Sequence, residues 1–314
     1  MNTKTEKYIT KIPVICLIAG ICSLLWGSAF PCIKIGYELF SIASEDTATQ
    51  ILFAGIRFTL AGVLAVVFGS ISKRRLMIPG KKDILPACNL SLFQTMLQYF
   101  FFYIGLANTS GVKASVILGA NVFIAIIIAS FIFRSEKITV RKTIGCIVGF
   151  AGIVLINMNG LSFGSGIKLT GEGFILLSTV AYSFSSGLMK RYSEKHDTVL
   201  LSAYQFIIGG IVMTVAGIAA GGRLTVITTA GILMLLYLAF VSAAAYSLWS
   251  TLLKYNDVST VAIFGFMNPM FGFILSALLL NETSEATGFQ AIAAILLVCT
   301  GILIVNGKKK QKTA

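Results

Sequence analysis

Hydrophobic positions in this chain fall into ten long blocks separated by short polar interruptions. The blocks run roughly from Pro13 to Ile35, Ile51 to Ile71, Ile84 to Leu106, Val112 to Phe133, Val140 to Asn157, Glu172 to Met189, Val199 to Ala220, Thr229 to Leu253, Val258 to Leu280 and Thr287 to Asn306. Each approaches the about 20 residues that a helix needs to cross the hydrocarbon core of a bilayer. The longest connections, Ser41 to Gln50 and Met158 to Gly171, are still short, so neighbouring helices must run antiparallel and no aqueous domain fits between them. The pattern predicts an all-α membrane protein of ten transmembrane helices.

The blocks also repeat. Val112 to Glu136 lies on Val258 to Glu282 at a constant offset of 146, which matches Gly119 with Gly265. Residues 152–157 lie on 301–306 at an offset of 149, and Trp26 to Lys34 lies on Tyr182 to Lys190 at an offset of 156. The offset changes fall in loops, as in a duplicated unit that later diverged. The expected halves are residues 13–157, with the first five helices, and 172–306, with the last five. Five is odd, so the second copy enters the membrane from the opposite side. Two inverted five-helix repeats are an architecture of transporters that work by alternating access.

Composition agrees with a bilayer: 56% of the 314 residues are hydrophobic and 12% charged, with mean hydropathy +0.89. A net charge of +13 raises the question of nucleic acid, but the basic residues collect in alternate loops, twenty on one side against Lys34, Lys113, Lys168 and Arg223 on the other. By the positive-inside rule this is a topology signal that places both termini in the cytoplasm, with attraction to anionic lipid and no nucleic-acid partner. The first block continues for about 20 residues without a small-residue cleavage site and reads as a retained helix. Cys16, Cys22, Cys32, Cys88, Cys146 and Cys299 fall inside predicted helices with no metal-ligand spacing and read as free thiols.

No catalytic cluster is visible. The single histidine, His196, sits in a charged loop and reads as solvated, and all twelve acidic residues fall in loops or at helix ends. No carboxylate is expected at the midplane, where ion-coupling groups are sought. No metal and no cofactor are expected. Arg57 is the exception among charged groups, about two turns into the second helix. It must either face the bundle and find an anionic or carbonyl partner, or snorkel outward.

Polar and aromatic residues recur at helical spacing: Gln94 and Gln98; Ser183, Ser186 and Lys190; Ser242, Tyr246 and Trp249. Such faces suit a cavity wall, although interface belts and helix packing use the same residues. With Trp26, Tyr99, Tyr182 and Asn268 they supply the candidate substrate-binding set Trp26, Gln94, Gln98, Tyr99, Tyr182, Tyr246, Trp249 and Asn268. Symmetry and spacing place Trp26, Gln98, Tyr182, Tyr246 and Trp249 around one cavity. Pro31 and Pro269 remove backbone hydrogen bonds and are expected to kink the first and ninth helices, so with Arg57 they form the structural or gating set. Gly145 and Gly149 permit close helix contact, and Gly209-Gly210 either does so or softens its helix.

Trp26-Gly27-Ser28-Ala29-Phe30 with Lys34, the pair Arg57-Phe58, and the spacing from Asn268-Pro269 to Glu282 resemble EamA-type members of the drug/metabolite transporter superfamily, over nearly the whole chain. The resemblance implies a central cavity lined mainly by helices 1, 3, 4, 6, 8 and 9, with 5 and 10 peripheral. It also implies transport of small organic solutes, commonly amino acids and related metabolites and often outward. Phe123 stands where the family usually has proline, which predicts a fourth helix less kinked than the ninth. The leading expectation is a non-enzymatic secondary transporter of the cytoplasmic membrane. A lipid scramblase or flippase, which needs a polar groove open to lipid, is the alternative.

Overall fold

The structure, a computed structural model, describes residues 8–43, 45–109, 114, 117–156, 158, 168–279 and 288–306. Val112, Lys113, Asn157, Glu282 and Glu285 lie outside these, as do the terminal lysines, so the expectations that rest on them have no structural counterpart. The helices are α1 (Ile12–Leu39), α2 (Thr47–Lys73), α3 (Lys81–Leu90), α4 (Gln98–Ala107), α5 (Asn121–Ile127), α6 (Val140–Ile156), α7 (Phe174–Tyr192), α8 (Thr198–Ala219), α9 (Thr229–Tyr255), α10 (Val258–Ala262), α11 (Met267–Leu279) and α12 (Gly288–Asn306).

Among the described residues α1, α2, α8 and α9 are each long and apolar enough to cross a membrane unbroken. Other crossings are composite. A π-helical stretch, Ser91–Leu97, joins α3 to α4; another, Ile128–Ile132, follows α5; a third, Leu169–Gly173, leads into α7; and a 3-10 turn, Ile263–Phe266, joins α10 to α11. With these joined, the chain makes ten crossings in two five-helix repeats.

Polar residues at the block edges set the helix starts. The Asp46 carboxylate accepts from Thr49 N–H at 2.9 Å to cap α2, Asp197 accepts from Val199 and Leu200 N–H at 3.0 and 3.1 Å to cap α8, and Thr228 accepts from Gly231 N–H at 3.0 Å to cap α9. The α2 end turns at Arg74, whose φ of 50° reverses the chain.

Helix pairing follows the repeat. The first crossing packs on the eighth and ninth (α1 on α9 and α11), and the sixth packs on the third and fourth (α7 on α4 and α5). The second pairs with the seventh (α2 with α8) and the fifth with the tenth (α6 with α12). Each contact thus has its mate under exchange of the halves, as a two-fold relation requires. Glycine permits the two self-paired contacts. A Cβ on Gly301 would lie 2.6 Å from the Gly145 carbonyl, and one on Gly210 would lie 2.8 Å from the Gly55 carbonyl. Close backbone packing is therefore the use made of Gly145 and Gly210.

Large apolar side chains cover the outer surface: Leu17, Phe131 and Leu296 are 65%, 69% and 61% exposed. Such a surface belongs against lipid, and the protein is a multi-pass membrane protein.

The even-numbered connections gather at one end with both described chain ends. Asn256 donates to Ile9 O at 3.5 Å, Asn306 to Thr260 O at 3.4 Å, and Tyr204 to Met77 O at 3.0 Å, while Lys73 pairs with Asp197. His196 belongs to this assembly and is not the solvated loop residue expected. Its Nδ1 lies 2.6 Å from Asp83 Oδ1, and both side chains are 12% exposed, because the loop folds back onto the start of α3. Burial alone would raise the Asp83 carboxyl, but hydrogen bonds from His196 and the Gly80 N–H hold it below its ordinary value.

The fourth crossing, expected to be less kinked than the ninth, is not continuous. The fourth is interrupted as well, by a turn at Ala120 and by the π stretch after α5. Beside this turn Ser183 on α7 donates to the Asn121 carbonyl at 3.3 Å and to its Oδ1 at 2.5 Å. In the ninth crossing Ser23 on α1 donates in the same way to Phe264 O at 3.3 Å, beside the 3-10 turn. Pro269 lies in the first turn of α11, just after the break. Pro31 lies inside α1, which continues through it as one helix.

Candidate functional site

The interrupted crossings face one another across a cavity of about 200 Å³. Its wall takes Trp26, Ala29 and Ile33 from α1, Arg57 from α2, and Gln98, Tyr99 and Phe102 from α4. Leu118, Gly119, Asn121 and Val122 come from the fourth crossing, Ser178, Thr179 and Tyr182 from α7, Tyr246 from α9, and Gly265, Asn268 and Pro269 from the ninth crossing. Both repeats therefore contribute. Most of these positions lie at mid-length or in the half away from the chain termini, while Tyr246 and Gly265 lie a turn toward them.

The lining reproduces the crossings that the resemblance named, with one addition. The second crossing also reaches the wall, through Arg57. Its side chain is buried, facing the bundle: Nε–H donates to Leu238 O at 3.3 Å and an Nη2 hydrogen to Ser242 Oγ at 3.0 Å, and the guanidinium carbon is 5.2 Å from the Phe58 ring centre. The partners are a carbonyl and a hydroxyl, both on α9. No Asp or Glu side chain is among the described residues lining the cavity.

Aromatic rings close the side toward the termini. Trp26 meets Tyr246 and Trp249 edge to face, each with centroids 5.0 Å apart. Phe206 meets Tyr246 at 4.9 Å and stacks on Phe58 at 5.3 Å, which in turn contacts Tyr99 at 4.5 Å. Beneath this layer Leu201, Leu252, Val258 and Val261 are fully buried.

Of the eight candidate substrate-binding residues, the structure brings Trp26, Gln98, Tyr99, Tyr182, Tyr246 and Asn268 to the cavity wall. Gln94 and Trp249 sit one layer nearer the termini, against a void of about 10 Å³ shared with Ser186, Ser202 and Ser250. Tyr246 borders both spaces, and Trp26 on the cavity wall contacts Trp249 on the void. Gln94 lies inside the π stretch from Ser91 to Leu97 and Gln98 follows it, so their α-helical spacing did not place both on one wall. Lys190, on the face of Ser183 and Ser186, points away and closes the α9 end by donating to Asn256 O at 2.7 Å and Lys254 O at 3.2 Å.

Sequence reasoning missed Asn121, Ser178 and Thr179. Asn121 was findable, because Gly119 beside it pairs with Gly265 in the repeat and Gly265 also lines the wall. The cavity leaves several polar atoms without protein partners: Trp26 Nε1, Gln98 Oε1 and Asn268 Oδ1 make no hydrogen bond. Buried polar atoms in this state are costly unless a side-chain rotation or a partner brought by a solute satisfies them.

Comparison with known proteins bears on both halves. The family model described as the EamA-like transporter family matches residues 13–158 and again residues 169–307. An uncharacterized transporter of Bacillus subtilis, YvbV, is 29% identical, covering 95% of this chain and 93% of the relative. An uncharacterized transporter of Archaeoglobus fulgidus is 27% identical over 99% of this chain and all of the relative. A probable amino-acid metabolite efflux pump of Escherichia coli is 27% identical over 92% and 93%. A solved crystal structure has the same fold, with a TM-score of 0.74 at 16% identity, covering 93% of this chain and 97% of the other. The family match spans both repeats and the relatives align nearly end to end, so this chain belongs to the EamA-like transporter family of the drug/metabolite transporter superfamily.

Proposed function

We propose that the protein is a secondary transporter that carries a small organic metabolite, an amino acid or a related compound, outward across the cytoplasmic membrane. Both termini face the cytoplasm in this reading, in accord with the alternation of basic loops. The observation that carries it is the polar and aromatic cavity at the junction of the two repeats, held at mid-depth and packed shut toward the termini. A site at the repeat interface, beside interrupted helices, is what alternating access needs. At about 200 Å³ the space is below the 300–1,000 Å³ of drug-sized sites and suits a small metabolite. The Escherichia coli relative named a probable amino-acid metabolite efflux pump supports the solute class and the direction.

The geometry supports a rocking cycle. Solute occupies the space above the Trp26–Tyr246–Trp249 layer, the repeats rock about it, the packing toward the termini opens, and the opposite half closes. The substrate-binding residues are Trp26, Gln94, Gln98, Tyr99, Tyr182, Tyr246, Trp249 and Asn268, with Gln94 and Trp249 reached as the inner layer parts. Purified protein in liposomes should release preloaded radiolabelled amino acids faster than equally loaded protein-free liposomes do, while fluorescent phospholipid stays in its leaflet. Lipid scrambling without amino-acid flux would overturn the reading and favour the flippase.

A further inference from the structure

Arg57 is held by one edge only. A guanidinium has five N–H donors, and two of them are used, on Leu238 O and Ser242 Oγ. Both acceptors are uncharged and neither neutralises the cation. The group is 5% exposed and borders the cavity. It lies ten residues into α2, about 15 Å of helical rise from that helix's start. A cation at such depth is costly unless an anion meets it. Among the described residues of the cavity wall there is no carboxylate to do so.

The polar atoms around it have a definite sense. Trp26 Nε1–H is a donor without a partner on the same wall, whereas Gln98 Oε1 and Asn268 Oδ1 are acceptors without partners. A planar fork fixed along one edge leaves its other N–H groups parallel, the arrangement that takes a carboxylate in two hydrogen bonds. In this conformation the two amide oxygens are turned from the open space; rotation of either amide about its last bond brings its oxygen to the cavity, where it meets the donors of an adjacent ammonium or hydroxyl.

We propose that Arg57 is the anchor for the carboxylate of the transported solute, so that the cavity selects small carboxylic acids carrying a neighbouring donor group, α-amino or α-hydroxy acids, over their amides and amines. This rests on the carrier reading and sharpens its solute class. Ser242 is a positioning residue that aims the fork. An amine without a carboxylate would bring a second cation beside Arg57 and is excluded by repulsion.

The test uses the full chain in detergent and in liposomes. L-Amino acids and α-hydroxy acids are titrated beside their carboxamides and decarboxylated amines, with melting temperature and intrinsic fluorescence as readouts. The chain has two tryptophans, and Trp26 and Trp249 touch at the cavity floor, so the emission reports on the site. For at least one acid, binding should exceed that of its amide and amine by about tenfold or more, the scale of a charge-assisted pair. Arg57→Gln should abolish that preference, Arg57→Lys should keep it at lower affinity, and Ser242→Ala should weaken acid binding severalfold. Amides or amines binding as well as acids in the unmodified protein would overturn the proposal, whether or not Arg57→Gln folds. So would Arg57→Gln protein that binds acids unchanged. Either result accompanied by solute flux leaves the carrier reading standing, whereas neither binding nor flux for any compound overturns both.

Discussion

The two halves of the bundle, toward and away from the chain termini, use similar residues to opposite ends. Away from the termini, Tyr99, Tyr182, Asn121 and Ser178 surround space. Toward the termini, Trp249, Met189, Leu252 and Leu253 fill it. The polar contacts differ in the same sense. On the terminal side Glu136 accepts from Ser259 N–H at 3.0 Å and from its hydroxyl at 2.6 Å, and pairs with Lys142 at 2.8 Å, so the first repeat caps a helix of the second. Lys190, Asn256, His196 and Lys73 add ties between connections at that end. At the other end the described ties are fewer, such as Thr109 with Glu172 at 2.9 Å and the Arg223 N–H with Thr49 at 3.0 Å. On the proposed carrier reading, opening the terminal side would have to part the aromatic layer, the apolar packing beneath it and a small set of inter-repeat hydrogen bonds.

Removing the aromatic layer should have the largest effect. Trp249→Ala empties a buried site where the side chain is 4% exposed, and large-to-small changes of this kind cost about 3–5 kcal/mol. Its melting temperature should drop, and solute flux should fall far more than in Tyr8→Ala, where the ring is 60% exposed. A Trp249→Ala protein with unchanged melting temperature and flux would show that the inner layer does not seal the site.

Loosening the inter-repeat cap should come next. Glu136→Gln weakens a charge-assisted pair worth about 1.5–3 kcal/mol, while keeping the shape. It should raise the population open toward the termini by about tenfold. In a cysteine-free background, a Ser202→Cys reporter beside the inner void should then react faster with a membrane-impermeant thiol reagent. The reagent should act in inside-out vesicles and not in right-side-out ones. Labelling from the opposite side would reverse the assigned orientation, and an unchanged rate would remove Glu136 from the gate.

Acidification should have the smallest effect and should be confined to the terminal end. Burial alone would raise the Asp197 carboxyl, but the hydrogen bond from Lys73 and the α8 N–H groups keep it low, and Asp83 is likewise low. A depressed folded value contributes stability that is present above the ordinary value of 3.8 and disappears as pH falls through the folded value. Thermal stability should therefore decline as pH is lowered below that ordinary value, and Asp83→Asn with Asp197→Asn should flatten the decline. A profile identical in the double variant would assign it to other groups.

Much of this architecture is legible in the chain because its causes are local or repetitive. Ten apolar blocks, polar caps such as Asp46, Asp197 and Thr228, and matched segments around Gly119 and Gly265 require no knowledge of packing. The residues Trp26, Gln98, Tyr182 and Tyr246 were also recognisable from helical spacing and symmetry, and Asn268 from its place beside Pro269. Gln94 was misplaced because a π-helical stretch changes the angle per residue, and hydropathy does not record that change. His196 was misread because its partner, Asp83, is 113 positions away.

The amino-acid sequence by itself determined the membrane class, the number of crossings and the duplication, since the hydrophobic effect and backbone hydrogen bonding in lipid act on each segment almost independently. Only the tertiary structure decided which faces meet. It turned Arg57 inward onto Leu238 and Ser242, put Trp249 under Trp26, and let Ser183 and Ser23 support breaks in helices of the opposite repeat. These outcomes depend on side-chain fit and hydrogen-bond partners between segments far apart in the chain, and such terms exist only once the helices have packed.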